Sequence, residues 1–599
     1  MDAKVSCRCG NTRIPSQCCL LKISSKPWSG NGKKVTIAQA CILLKQAINQ
    51  RNLVLAQKIS NSILLKVTNH PTAHFATGMQ YFLQGKHQAA KSSLGLAFKN
   101  GLQDANAYLQ YANIVGQEGN YIAALEHIKH ALKLKPDFEP ALIMGFQIAM
   151  LIQYFGQAID FAKQILNLNT QNPIHYLYLA EAHSKNLQDE LALEVIEQGL
   201  ILDVKNSALL LLQASILEIR NELDIAIAVI QKVLTENPES IDAKLLQSTL
   251  LIRQKRAREA KSMLLSLIKN PNCNIQQIQK SHANLVKVNQ LLNCYTEAWK
   301  SAEQMNLLDA KIRPSVGQWS EIDSYFTQIE IAADSLNYPT NSAKTSYAHY
   351  LFIVGFPRCG STLLEKLLYQ HFQCQTVGES KAIPELEKDI YLHSGKPWWQ
   401  LQTDEWNNPQ LLAQVENTFD VYKPHGKEEH FPVVDKNLLN STRLILLDKL
   451  LPNAPIIKLV RHPLDMLISN FMNHFGSNDA WHSDLTLIAK YMLKVDEHWQ
   501  LVGNKLKSPV CIVRYEDIIY SQGFTAELQQ FLADVWPAKI ATTPDYNKKN
   551  FVTRTASYAQ VQQAINTENT NVYKHYLDCI PDDIINLITP IAKRWNYAI

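Results

Sequence analysis

Alanine recurs at residues 56, 90, 124, 158, 192, 226 and 260, every 34 residues without a slip. A fixed interval of that length is the mark of a supersecondary unit that repeats, each copy burying a face it cannot bury alone. A second set of small residues keeps the same register. With the spaced alanine at place 20 of its unit, Gly78, Ala112, Ala180, Ala214 and Ser248 fall at place 8. Two small places per unit are what a pair of helices needs where they cross closely. Pro136 and Pro238 fall at place 32 and Pro271 one residue early, and proline there ends the second helix. Leu44 and Phe146 are the large residues at place 8.

The unit length and its small places resemble the tetratricopeptide repeat. Seven repeats are expected over about residues 37–272, and a degenerate eighth, with Ala298 and Ala302, carries the solenoid to residue 310. The resemblance implies a concave surface for a protein or peptide partner. Residues 1–36 are expected to be a poorly ordered tail. Cys7, Cys9, Cys18 and Cys19 crowd it; a zinc site is conceivable there, but they form no CxxC pair and have no nearby histidine, which favours the plain tail. Residues 311–345, with Pro314, Gly317, Pro339, Asn341 and Ser342, read as a connector.

Composition narrows the rest. At 599 residues the chain exceeds one hydrophobic core. No apolar run reaches the roughly 18 residues of a membrane span, and the first residues lack the apolar stretch of a secretory signal. Eleven scattered cysteines, an odd count, read as reduced thiols in a cytoplasmic protein. A net charge of +5 is too weak to argue for nucleic acid, but it suits an anion held locally.

The pattern changes at Tyr350. The strand-length run Leu351-Phe352-Ile353-Val354 leads into Gly355-Phe356-Pro357-Arg358-Cys359-Gly360-Ser361-Thr362 and then the helical Leu363-Leu364-Glu365-Lys366. A glycine-bounded loop between strand and helix lets backbone N–H groups curl round an anion at the helix N-terminus. The G-x4-G spacing is that of a nucleotide triphosphatase loop, yet the lysine such an enzyme needs is absent and the cation is Arg358 inside the loop. A second strand-length run, Ile456 to Val460, ends on Arg461, with Ser469 eight residues later. An arginine fork and a hydroxyl two helical turns apart suit a phosphate.

Together these segments resemble the sulfotransferases that use 3′-phosphoadenylyl sulfate (PAPS), and the arginine version of the loop is similar to the tyrosylprotein branch. The resemblance covers about residues 348–580. It implies a P-loop-like α/β domain with a central parallel sheet over 346–599, following the α-solenoid. It implies that Arg358, Cys359, Gly360, Ser361 and Thr362 hold the 5′-phosphosulfate, and that Arg461 and Ser469 hold the 3′-phosphate. Val377-Gly378-Glu379-Ser380 is similar to the segment with the general base, which makes Glu379 the expected base, with His425 and His430 in reserve. Lys436, in Val433-Val434-Asp435-Lys436, resembles the lysine that stabilises the leaving oxygen. Tyr515 is expected beside the nucleotide. Ser557, in the covering loop, is expected near the 3′-phosphate or sulfate, and Lys574 is the candidate basic residue after it. No metal is implied.

The chain also departs from that branch. Lys381 stands for the first of two arginines that follow the base, and Glu385 stands with opposite charge where the second would fall, which argues against an acidic peptide. Asn473 takes the place of an arginine near the nucleotide. The acceptor stays open between peptide tyrosine, a carbohydrate and a small alcohol or amine. The competing expectations are a repeat scaffold carrying a weakly active nucleotide-binding domain, and a phosphoryl-transfer enzyme.

Overall fold

The computed structural model describes residues 22–24, 34–50, 52–312, 318–333, 350–372, 374–406, 408–418, 432–451, 453–475, 481–536, 555, 558–561 and 564–599. The four cysteines of the first 20 residues, Ser557, His425 and His430 lie outside them. Two short strands, β1 (Lys22–Ser24) and β2 (Lys34–Thr36), pair in parallel within the stretch expected to be a tail. The chain divides into two compact units, residues 1–209 and 210–599.

Between Ile37 and Ile312 the described residues form eight antiparallel helix pairs, the first Ile37–Asn49 with Leu53–Leu64 and the last Ile275–Leu291 with Tyr295–Ile312. The spaced alanines explain the pairing. Ala90, Ala124, Ala158, Ala192, Ala226 and Ala260 are wholly buried, and so are Ala112, Ala180, Ala214 and Ser248 at the other small place. A Cβ on Gly78 would press on Leu94 at 2.7 Å, so close helix approach fixes that glycine. The period reaches the backbone as well. The turn between paired helices carries positive φ at Gly85, Gly119, Gln153, Leu187, Asn221 and Lys255, each at the same place of its unit. Only the first two are glycines, so the left-handed turn persists on side chains that pay a steric penalty for it.

The connector expected over 311–345 contains a helix, Gln318–Ala333. Trp319, Ile322, Phe326 and Ile329 lie three or four residues apart on one face, and Phe326 and Ile329 are buried. The breakers Pro314, Gly317 and Pro339 flank this helix and do not interrupt it.

Five parallel strands then form one sheet: β3 (Tyr350–Val354), β4 (Gln375–Gly378), β5 (Val433–Asp435), β6 (Ile456–Val460) and β7 (Val510–Arg514), in the order β4-β5-β3-β6-β7. Register pairs Phe352 with Asp435 and with Ile456, and Val460 with Arg514. β3, β5 and β6 are buried throughout, as strands covered on both faces must be. The chain steps to one side of β3 for β4 and β5 and then crosses to the other for β6. Ligand crevices form at such a reversal, outside the carboxyl ends of the strands.

Candidate active site

Because the sheet is parallel, the carboxyl ends of all five strands share one edge. The residue after each strand is one the sequence singles out: Gly355 after β3, Glu379 after β4, Lys436 after β5, Arg461 after β6 and Tyr515 after β7.

The loop after β3 turns into the helix Ser361–His371 through two left-handed residues, Arg358 at φ 73° and Gly360 at φ 99°. Glycine is required at 360, since a Cβ there would enter the Tyr515 ring. Arg358 sits in a conformation that L residues adopt only under constraint. That constraint is visible. Its Nε donates to Ser469 Oγ at 2.9 Å, and its carbonyl accepts from Arg461 Nη1 at 2.8 Å. Asn470 Nδ2 donates to the Pro357 carbonyl at 2.9 Å. The two anion motifs, far apart in sequence, are thus bonded directly to one another. Burial pushes the Arg358 pKa down to about 10, with the like charge of Arg461 adding and Glu379 opposing, so the guanidinium stays charged at neutral pH.

Arg461 is 7% exposed and its guanidinium lies over the Tyr515 ring at 4.7 Å. Its other Nη donates to the Asn569 carbonyl. Its Nε–H is buried without a hydrogen-bond partner among the described residues, an unsatisfied donor of the kind that calls for a ligand. Asp465, 3.9 Å from Arg461, accepts the N–H groups of Asn571 and Tyr573 and so fastens the late segment over this end.

Beside the loop lies an ionic cluster. Lys436, 1% exposed, donates from Nζ to Glu379 Oε1 at 2.9 Å and lies 3.8 Å from Glu365 Oε2. Its own N–H is held by the Gly378 carbonyl, which ties β5 to the Glu379 segment. The Glu379 side chain is 56% exposed, so the partial burial expected of a base is not found and its setting is the Lys436 ammonium. Glu365 is the group sequence reasoning missed. It is buried behind Lys436, and burial raises its pKa to about 7 against the pull of Lys436. Its signal was in the sequence: a glutamate inside the otherwise apolar stripe of the helix that follows the loop.

A cavity of about 220 Å³ opens at this edge, lined by Arg358, Gly360, Thr362, Arg461, Ser469 and Tyr515 among others. Glu379, Lys436, Cys359, Ser361 and Lys574 are not on its wall. Cys359 turns its thiol into the core, where burial raises its pKa to about 11, and gives its N–H to the Phe356 carbonyl. Lys574 is exposed on the short helix Val572–His575, where its neighbour Tyr573 is the buried residue. Ser361 is buried at the helix start. Thr362 Oγ1 meets Thr555 Oγ1 at 3.1 Å. Asn473 lines the cavity and bonds the Ser469 carbonyl.

The cavity has a second wall, from the repeats. Thr249, Ile252, Arg253, Asn284, Lys287 and Gln290 line it opposite the loop. Glu218, from the helix Ser207–Ile219, pairs with Arg253 and accepts the Tyr558 hydroxyl at 2.8 and 2.9 Å. Among the described residues no cluster of histidine, cysteine and carboxylate is placed to hold a metal, and no helix is long and apolar enough to cross a membrane.

Residues 351–532 match the model of the Sulfotransferase family. An uncharacterised protein of Aquifex aeolicus is 25% identical over 239 residues, which are 38% of this chain and 30% of that protein's length. Protein-tyrosine sulfotransferase A of Caenorhabditis elegans is 22% identical over 272 residues, 41% of this chain and 67% of the relative. Among solved structures, a tetratricopeptide repeat protein of Parabacteroides merdae gives a TM-score of 0.31 at 16% identity, over 41% of this chain and 97% of that one. The bonded pair of anion motifs lies within the residues that match the Sulfotransferase family, downstream of the helix pairs of the 34-residue repeat.

Proposed function

We propose that the chain transfers a sulfuryl group from PAPS to an acceptor hydroxyl or amine. The observation that carries this reading is the Arg358–Ser469–Arg461 junction on the wall of a cavity at the sheet's switch point, with the buried Arg461 Nε–H lacking a partner among the described residues. A nucleotide with phosphates at both ends needs two cations set apart on one rigid frame, and ATP has nothing for the second.

Bound there, PAPS would bring a sulfuryl group on a good leaving phosphate. The loop amides and Arg358 would take the 5′ end, and Arg461 with Ser469 the 3′-phosphate. The sulfur–oxygen bond to the 5′-phosphate breaks as the bond to the acceptor forms, the acceptor proton passes to Glu379, and the nucleotide leaves as adenosine 3′,5′-bisphosphate. Lys436, at the carboxyl end of β5, offsets charge building on the leaving oxygen. The acceptor is peptide, carbohydrate or small molecule, with a protein partner presented by the repeats as the favoured form. Free thiols at all seven described cysteines support a reducing, cytoplasmic setting.

The test is a calorimetric comparison of adenosine 3′,5′-bisphosphate with ATP and magnesium, followed by transfer of labelled sulfate from PAPS into lysate. Binding of the bisphosphate alone, with label in an acceptor, is the expected result. Preference for ATP would return the chain to phosphoryl transfer, and bisphosphate binding without label would leave the scaffold reading.

A further inference from the structure

The helix Ile275–Leu291 belongs to the repeats, yet one of its faces is part of the cavity. Asn284, Lys287 and Gln290 recur at intervals of three and line the space shared with Arg358, Arg461, Ser469 and Asn473. The face is fixed in place. Gln290 Nε2 donates to the Tyr576 hydroxyl at 3.1 Å and reaches Met472 Sδ at 3.4 Å. Asn306, on the partner helix, donates to the Phe471 carbonyl at 2.8 Å, and Trp299 packs on Phe471. Met472 ends the helix that carries Ser469. Lys287, one turn before Gln290 on the same face, lines the same cavity as Ser469 and Asn473.

The charges there are uneven. Arg253 is engaged by Glu218, Arg358 by Ser469, and Arg461 by two carbonyls. Lys287 makes no ion pair among the described residues, and its exposed side chain opens on the cavity. The surrounding protein lowers its pKa by desolvation; Glu218 pulls the other way, while Arg358 and Arg253 repel it. Asn473, on the same cavity wall, is neutral, and Lys574 is not on that wall. An amine near two arginines, with the one nearby carboxylate already paired to Arg253, favours an added anion.

We propose that Lys287 binds the nucleotide's 3′-phosphate together with Arg461 and Ser469, so that the repeat helices complete the donor site. The inference rests on the sulfotransferase reading above. It makes the last repeats part of the nucleotide site as well as a surface for a partner.

The experiment measures affinity of the full chain for adenosine 3′,5′-bisphosphate and for adenosine 5′-phosphate, in the wild type, Lys287→Met and Lys287→Arg. Lys287→Met is expected to weaken the bisphosphate by about 10- to 100-fold, the worth of a hydrogen bond to a charged group, and to leave the monophosphate within about twofold. Lys287→Arg should keep most of the affinity. Bisphosphate affinity unchanged in Lys287→Met overturns the proposal, and so does an equal loss for both nucleotides, which would point to the 5′ end or to structure alone. Weaker PAPS turnover at unchanged bisphosphate affinity also overturns it, placing Lys287 on the acceptor. A wild type that does not prefer the bisphosphate to the monophosphate fails the sulfotransferase reading itself, before any variant is compared.

Discussion

The two walls of the cavity are built by different rules. The sheet edge puts one chemically useful residue after each parallel strand, and two of them, Arg461 and Tyr515, line the cavity, so position and function share one cause. The helical wall comes from a repeat whose plan says nothing of nucleotides. At place 12 of the unit the chain has Ile48, Phe82, Gly116, Met150 and Ser184 before it has Glu218. At place 13 it has Leu83, Gln117, Leu151, Lys185 and Ile219 before Arg253. The fold of the unit is unchanged by these swaps. A repeat can thus acquire a site by changing places other than its small helix-crossing ones, which stay fixed.

If the sheet wall does the chemistry, its loss shows in turnover. Glu379→Gln should lower kcat by about 10²–10⁴ and spare bisphosphate affinity, since an amide accepts no proton. Near-normal turnover in steady-state assays would remove Glu379 from that role. Arg461→Met comes next and acts on binding: affinity for the bisphosphate should fall by about 2–3 kcal/mol in calorimetry. If it does not, the sheet wall does not hold the 3′-phosphate.

The helical wall should respond through stability and affinity, with the chemical step intact. Glu218→Gln leaves Arg253 without its carboxylate and weakens the Tyr558 contact. Both side chains of the ion pair are almost buried, at 11% and 4% exposure, so the loss should be about 1–3 kcal/mol. Hydrogen exchange should quicken in Ile241–Arg253 and bisphosphate affinity should drop, while kcat at saturating PAPS holds. A fall in kcat with no change in exchange would break the division between the walls.

The walls also differ in pH dependence. Glu365, behind the sheet wall, has a folded pKa raised to about 7 by burial. Between the ordinary carboxylate pKa and about 7 the folded state keeps a proton that the unfolded chain releases, so stability falls as pH rises through that window. Lys287 is shifted downward, so the folded state gives up its proton first and stability rises with pH on the alkaline side. Glu365→Gln should flatten the first slope in urea unfolding and leave the second. An unchanged slope near neutrality would mean that another group titrates there.

Most of the sheet wall was legible because its signals are local. A strand, a glycine-bounded loop and a helix are adjacent in sequence, and Arg461 lies just before the short helix that carries Ser469. The 34-residue period was legible because helix crossing tolerates few side chains. Lys287 and Arg253 were not, since nothing near them in sequence refers to the loop they face. The helix Gln318–Ala333 was overlooked because its flanking prolines and glycine outweighed a four-residue apolar stripe. Lys574 was chosen by nearness to the covering loop, and nearness in sequence did not carry it to the cavity. Cys359 follows Arg358 directly, but the left-handed turn at Arg358 sends the two side chains to opposite sides.

The smallest expected effect tests whether the repeat place itself, or only its occupant beside the sheet domain, makes the site. Leu83 stands at the place of Arg253 in an earlier unit and is 51% exposed. Leu83→Arg puts the same guanidinium at the same place of the same helix pair. A surface change of this kind moves stability by no more than about 0.5 kcal/mol. With no Glu218 equivalent, since Ile48 holds that place in the preceding unit, the new arginine has nothing to pair with there. Bisphosphate affinity and kcat should both match the wild type. A measurable gain in nucleotide binding would mean that any arginine on the repeats serves, through long-range attraction, and the built pocket round Arg253 and Lys287 would lose its claim to specificity.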